Sequence, residues 1–296
     1  MKPVFMQLMM SAALVFLTTA AQAAITCSAI TSSGFSSAYV PSTAAMNITQ
    51  SSFTMTCQRN AGGDATTVSY GVRNDNGIQE TGNQNRARMG ATANYMNYDV
   101  WANSGCSVTW RNNAANDIVD TIPVLTGFTP ASKTTSFWGC IPGSQAVAAG
   151  TYTDTVVMTA RLGAGGTGAI LATGSFPVSI VTPSSCSIST APGNVAFGTY
   201  TALGATVSAN TSFKATCTNL LPYTMTLDAT SGVVVGLNYS LLLNTANSGG
   251  ATTLASTGNG LAQTFFINGN MAAGQAGTCA TGSCAGSQAR TLMITY

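Results

Sequence analysis

Histidine is absent from this 296-residue chain, which removes the commonest general base and the commonest protein metal ligand. Charge is scarce as well. Charged residues make up 6% of the chain, and 10 Lys and Arg against 8 Asp and Glu leave a net charge of +2, or +1 without Lys2. No basic footprint for nucleic acid is present. The carboxylates Asp64, Asp75, Glu80, Asp99, Asp117, Asp120, Asp154 and Asp228 are scattered singly, apart from the loose pair Asp117/Asp120. In Asn116-Asp117-Ile118-Val119-Asp120 such a pair reads as a solvated turn rather than an acid/base or calcium pair. The cluster Gly163-Ala164-Gly165-Gly166-Thr167-Gly168 lacks the Lys-Ser/Thr ending of a phosphate loop and leads into a strand, so it reads as a turn. No amphipathic helix stands out. The expectation is a protein that is not an enzyme, with no catalytic residue, cofactor or metal.

What is present points to export. Lys2, the apolar run Leu8 to Leu17 and the small-x-small site Ala21-Gln22-Ala23 predict a signal peptide over residues 1–23, cleaved after Ala23. The run is too short to cross ~30 Å of hydrocarbon as a helix. Eight cysteines then read as a disulfide framework in an oxidising compartment. Val-, Thr- and Tyr-containing runs between Gly, Asn and Pro punctuation predict an all-β protein, and 45% hydrophobic residues suffice for packed cores. An outer-membrane barrel is disfavoured by the cysteines and by the repeat described next.

The chain repeats itself. Ser52-Phe53-Thr54-Met55-Thr56-Cys57 matches Ser212-Phe213-Lys214-Ala215-Thr216-Cys217, and Met96-Asn97-Tyr98 matches Leu237-Asn238-Tyr239. The stretch Gly150 to Ala160 matches Gly286 to Tyr296. Cys27 precedes Cys57 by 30 positions and Cys186 precedes Cys217 by 31, each time with an aromatic pair between them, Phe35 and Tyr39 or Phe197 and Tyr200. Repeat symmetry favours Cys27–Cys57 and Cys186–Cys217. Cys106, Cys140, Cys279 and Cys284 remain, and Cys106–Cys140 with Cys279–Cys284 is one way to pair them; sequence alone leaves the connectivity open. Two domains are predicted, residues 24–181 and 186–296, joined by a Pro/Ser linker at 182–185.

The two copies differ at their ends. The first continues past Ala160 through the glycine turn into a segment with Ile170, Ala172, Gly174, Phe176, Val178 and Ile180 on one face, the alternation of a half-buried strand. Burying its four large apolar side chains is worth about 6–12 kcal/mol, comparable with the ~5–15 kcal/mol of a whole domain. The second copy lacks that segment and is expected to take a replacement strand in a groove that includes Leu292, Ile294 and Tyr296.

At Phe197-Gly198-Thr199-Tyr200, Leu237-Asn238-Tyr239-Ser240-Leu241, Ala148 to Val156 and Ile294-Thr295-Tyr296 the chain resembles the spore coat protein U domain family, which includes subunits of archaic, Csu-type chaperone–usher pili. Ser287-Gln288-Ala289-Arg290 departs from the Tyr-x-Asp of the motif, and the Cys279/Cys284 pair is extra. The resemblance implies two immunoglobulin-like sandwiches, the C-terminal one missing its last strand. It also implies the partners: a periplasmic pilus chaperone, the outer-membrane usher, and a next subunit donating its N-terminal strand. After cleavage at Ala23 only Ala24, Ile25 and Thr26 precede Cys27, too little to donate. The expected place is therefore the pilus tip, reached through the periplasm, with the first domain adhering to a hydrophobic or host surface during biofilm formation. The alternative is a structural coat or capping protein of the same family without adhesive activity. For the adhesin, three loops are expected at the far pole of the first domain: near Asn60 to Ala65, within Gly105 to Pro130, and Leu162 to Leu171. Their apolar residues Trp110, Val124, Leu125, Phe128, Leu162, Ile170 and Leu171 are the candidate contacts.

Overall fold

The computed structural model of the protein describes residues 25–41, 43–124, 128–279 and 282–296. The predicted signal peptide, its cleavage site and Leu125 lie outside these residues. Nineteen strands and a single 3-10 turn (Ala114–Asn116), with no α-helix among the described residues, build two sandwiches with separate cores.

The first sandwich contains β1 (Thr26–Cys27), β2 (Thr31–Ser32), β3 (Phe35–Ala38), β4 (Asn47–Gln58), β5 (Thr67–Asn74), β6 (Asn85–Arg88), β7 (Tyr95–Trp101), β8 (Ile118–Pro123), β9 (Ala131–Ile141), β10 (Gly150–Leu162) and β11 (Ile170–Thr182). Hydrogen bonding runs β1-β4-β9-β7-β6-β10-β11-β3, with β2 on β4 and with β5, itself paired to β8, on β10. Period-two alternation explains what each strand buries. Tyr152, Asp154, Val156, Met158 and Ala160 of β10 all point inward. Asp154 occupies an apolar position because its carboxylate is satisfied there: Tyr98 Oη donates to it at 2.7 Å, Ile78 N at 3.0 Å and Thr155 N at 2.8 Å. Burial still dominates over these hydrogen bonds and raises its pKa.

β11 completes this core. It pairs antiparallel with β10 from Gly150↔Thr182 to Arg161↔Ile170, and parallel with β3 from Val178↔Phe35 to Val181↔Ala38. Ala172, Phe176, Val178 and Ile180 are buried, while Pro177 points outward. One residue departs from the expected inner face. The register shifts between Ala160 and Arg161, so that Ala160 faces Ala172 and Arg161 faces Ile170. The extra residue, Leu171, turns onto the core, and Ile170 is left 56% exposed.

The second sandwich contains β12 (Cys186–Thr190), β13 (Val207–Cys217), β14 (Pro222–Leu227), β15 (Ser231–Val234), β16 (Leu237–Asn244), β17 (Thr253–Thr257), β18 (Ala262–Met271) and β19 (Leu292–Thr295). One sheet runs β12-β13-β18-β16-β15 and the other β17-β14-β19. The repeat extends to single contacts. Phe35 lies over Gly139 and Phe197 over Gly269, each so close that a Cβ on the glycine would come within 2.6 Å of the ring. Gln145 donates to Asn97 O and accepts from Asn97 N while its own N–H reaches Tyr39 Oη; Gln275 does the same with Asn238 and Tyr200.

Four disulfides close: Cys27–Cys57, Cys106–Cys140, Cys186–Cys217 and Cys279–Cys284. The first and third join directly opposed residues of neighbouring strands, β1 to β4 and β12 to β13, at homologous places.

Candidate functional site: an open groove and a distal pole

Two regions concentrate the features that the fold does not use up. The first is the outer edge of β19. Among the described residues its hydrogen-bonding partner is β14, from Thr224↔Thr295 to Leu227↔Leu292, and the side that β11 covers on β10 is open. The other lip of the gap is the segment 193–200, the homologue of β3, which is in no strand. The residues 286–291, homologous to a part of β10 held along its length by β11, are in no strand either. Backbone that has lost its ladder partner has no other donor or acceptor row to pair with. Inside the gap, Val195, Phe197, Tyr200, Leu292 and Ile294 pack against the core yet stay partly exposed, and Tyr296 is 58% exposed. Their counterparts in β10, Val156, Met158 and Ala160, are fully buried.

The polar lining of the groove differs from the first domain. Tyr239, equivalent to Tyr98, donates its hydroxyl hydrogen to Gln288 Oε1 at 2.7 Å, so Gln288 takes the role of Asp154. Arg290 then donates to Ser231 O at 2.9 Å and stands over the Tyr239 ring at 5.6 Å. The acceptor for the tyrosine hydroxyl has thus moved from the Asp154 position, where Arg290 stands, to the Tyr152 position, where Gln288 stands.

The second region is the pole of the first sandwich away from the second. Register brings three connections there: Cys57 faces Ala131, Thr67 faces Pro123, and Leu162 faces Tyr70. Val124 N donates to Thr66 O and Gly163 N to Ser69 O, both at 2.9 Å. The connections 59–66, 124–130 and 163–169 therefore share one end. Charges at this end are consumed internally. Arg59 donates to Gly62 O and Asp64 O, Asp64 accepts from Asn60 N and Ala61 N, and both side chains are buried. Asp117 forms a two-point ion pair with Arg73 at 2.9 and 3.1 Å, and Asp120 lies 3.5 Å from Lys133. The Asp117/Asp120 carboxylates are thus each paired elsewhere, and among the described residues no cluster suited to a metal ion is present.

The candidate surface residues divide. Phe128, Leu162 and Ile170 are 45%, 47% and 56% exposed at the distal end. Trp110 and Val124 are not surface residues. Trp110 is fully buried: its ring packs on Phe53 at 5.5 Å, Phe137 at 5.2 Å and Phe176 at 6.1 Å, and its indole N–H donates to Val72 O at 2.7 Å. The Cys106–Cys140 bridge ties the connection that carries it to β9. Val124 is 2% exposed, held by its bond to Thr66, and Leu171 packs on the core through the bulge. An apolar residue in a loop is as readily a plug for the end of a sandwich as a contact for a surface, and only its neighbours decide. The paired glutamines Gln145 and Gln275 escaped the sequence reading; Gln-Ala ahead of each motif glycine was the available signal.

The spore coat protein U domain model matches residues 12–159 and 172–248. No curated protein matches the chain. Among solved structures, the chain is similar to the chaperone–tip adhesion subunit pre-assembly complex of archaic chaperone–usher Csu pili of Acinetobacter baumannii, with 15% identity, 92% of this chain and 100% of that chain covered, and a TM-score of 0.43. It is also similar to the CupB6 tip adhesin of Pseudomonas aeruginosa, with 11% identity, coverage of 83% and 86%, and a TM-score of 0.39.

Proposed function

The chain belongs to the spore coat protein U domain family, and on that premise we propose that it is a tip adhesin of an archaic chaperone–usher pilus. The observation that carries the reading is the unequal completion of two homologous sandwiches. The first holds its own last strand, β11, and the second has an open edge at β19 lined by partly exposed apolar side chains. A strand added there gains a row of main-chain hydrogen bonds along β19 and pockets for alternate side chains. A periplasmic chaperone fills the groove first, and the donor strand of the next subunit replaces it at the outer-membrane usher. The closed first domain, with β1 committed to its own β4, is carried to the cell surface as the outermost body. Adhesion is assigned to Phe128, Leu162 and Ile170, on a pole where the side chains of Arg59 and Asp64 turn inward onto their own loop, contacts suited to hydrophobic surfaces and to biofilm formation.

Two experiments test this. A synthetic strand, Ile170–Thr182, is added to the chain lacking residues 1–23. At 100-fold excess over Kd it stabilises the second domain by about 2.7 kcal/mol, on the order of 10 °C in Tm for a domain of this size. A Tm indifferent to the strand rejects the groove. Replacing Phe128, Leu162 and Ile170 together by Ser lowers attachment to hydrophobic plastic without lowering the amount of assembled pili. Unchanged attachment, or inhibition by one particular sugar, rejects the hydrophobic pole.

A further inference from the structure

The junction between the two sandwiches is itself built like a strand-donation joint. β11 completes the first sandwich and then leads, through residues 183–185, into β12 of the second. The linker is clamped: Ser185 N donates to Thr218 Oγ1 at 3.1 Å, and Thr218 N donates to Ser185 O at 2.9 Å. Next to this clamp Asn219 grips the first sandwich. Its Nδ2 donates to Ala146 O at 3.1 Å, and its backbone forms a parallel bridge with Ala148. The gripped residues are those that follow Gln145, whose hydrogen bonds fix them relative to Asn97 and Tyr39.

The same platform exists once more, without an occupant among the described residues. Gln275 makes the equivalent hydrogen bonds to Asn238 and Tyr200, and Ala276-Gly277-Thr278 stand where Ala146-Val147-Ala148 stand. Ala146 and Ala276 are both exposed, but Val147 and Ala148 are buried where Gly277 is half-buried and Thr278 exposed. Immediately beyond lies the Cys279–Cys284 bridge, whose near end is anchored by Thr278 N donating to Val235 O at 2.9 Å. The disulfide therefore ties Cys284 back to the residue that follows this platform.

We propose that Ala276–Thr278, next to the Cys279–Cys284 disulfide, is the seat for the body of the next subunit. Its occupant is a β-sandwich entered from the donated strand, presenting an amide side chain two residues after the second cysteine of its first disulfide, as Asn219 follows Cys217. The internal joint is thus a covalent copy of the joint to the shaft. This rests on the reading of the β19 groove as a strand acceptor and adds a second contact to it.

The test uses the full chain with a second copy of residues 161–296 appended after Tyr296, which supplies the glycine turn, β11 and another second sandwich in the order found after Ala160. The appended copy carries Ala273→Ser and Ala289→Ser, both at exposed positions, so that its peptides differ in mass. Amide exchange is followed at Gly286–Tyr296 and at Ala276–Thr278 of the middle sandwich. Both segments are expected to exchange at least about tenfold more slowly than in the unextended chain. Asn219→Ala in the appended copy alone is expected to restore fast exchange at Ala276–Thr278 while Gly286–Tyr296 stays protected. Protection of the groove with no change at Ala276–Thr278 overturns the seat and leaves the groove standing; protection of neither rejects the groove as well. An extended chain that aggregates, when the chain with synthetic Ile170–Thr182 stays monomeric and protected at Gly286–Tyr296, also overturns the seat.

Discussion

Phe176→Ala measures how much of the first sandwich depends on β11. The side chain is fully buried, with ring centroids 4.8 Å from Phe137 and 6.1 Å from Trp110. Truncating a buried Phe costs about 3–5 kcal/mol, the transfer free energy plus that of the cavity left behind. Here rigid strands on either side limit collapse: β10 pairs with residue 176 through Val156, and β3 is held on β11 from Val178. The upper half of the range is expected. A domain with ~5–15 kcal/mol of net stability loses about a quarter or more of it. Urea unfolding followed by tryptophan fluorescence reports on this domain, because Trp101, Trp110 and Trp138 all lie in it. The midpoint should fall at unchanged slope, and Ile170→Ala, at an exposed position, should change stability by no more than about 0.5 kcal/mol. A loss below about 1 kcal/mol for Phe176→Ala would show that β11 is not the strand that closes the core.

Three further outcomes are expected. Cys106→Ser with Cys140→Ser removes a bridge spanning 34 residues, worth about 3–4 kcal/mol on a loop-entropy account; thermal unfolding should show the loss in the first domain and none in the second. Burial raises the carboxyl pKa of Asp154 and of Asp99, in the latter against the pull of Arg111. The folded state then takes up these protons before the unfolded state does, so their contribution to stability grows as pH falls from the raised values toward the ordinary value of 3.8, and Asp154→Asn should flatten that part of a pH–Tm curve. Arg73→Ala leaves the buried carboxylate of Asp117 without its two-point partner and should destabilise the first domain by about 3–5 kcal/mol, with Asp117→Asn in the same chain recovering part of the loss.

The strand pattern was legible because the alternation is strict wherever a strand is covered on one face: β10 and the stretch from Ala172 of β11 follow it residue by residue. The repeat was legible because cysteines and aromatic residues sit at fixed packing positions, Phe35 and Phe197 over glycine and Cys57 and Cys217 opposite their partners. Two things were hidden. A bulge at Leu171 exchanges inward and outward faces, and one residue in a run of small and apolar ones gives no warning of it. The inward turn of Trp110 depends on Val72 O, Phe53 and Phe137, all distant in sequence. The alternating direction of successive strands placed the three connections at the distal end, and loop composition failed to say which of their side chains face water.

The same homology that locates the groove gives the distal pole its meaning. In the second sandwich the connection after the second cysteine, Thr218 to Leu221, holds the linker and grips Ala146 and Ala148. Its homologue in the first sandwich is the connection after Cys57, and that connection lies at the distal pole beside 124–130 and 163–169. There the grip is turned inward. Arg59 and Asp64 spend their hydrogen bonds on the loop itself, where Thr218 and Asn219 spend theirs on the linker and the neighbouring domain. A loop whose hydrogen bonds close on itself offers no grip to a body above it. It leaves Phe128, Leu162 and Ile170 as the exposed large apolar side chains among the described residues of these three connections and their flanking strand ends. Opening that loop with Asp64→Ala should therefore lower the stability of the first domain and slow attachment only as far as the domain unfolds, whereas Phe128→Ser should slow attachment in a domain of unchanged Tm. If Asp64→Ala abolished attachment at full stability, the polar loop would be the contact and the apolar residues its surroundings.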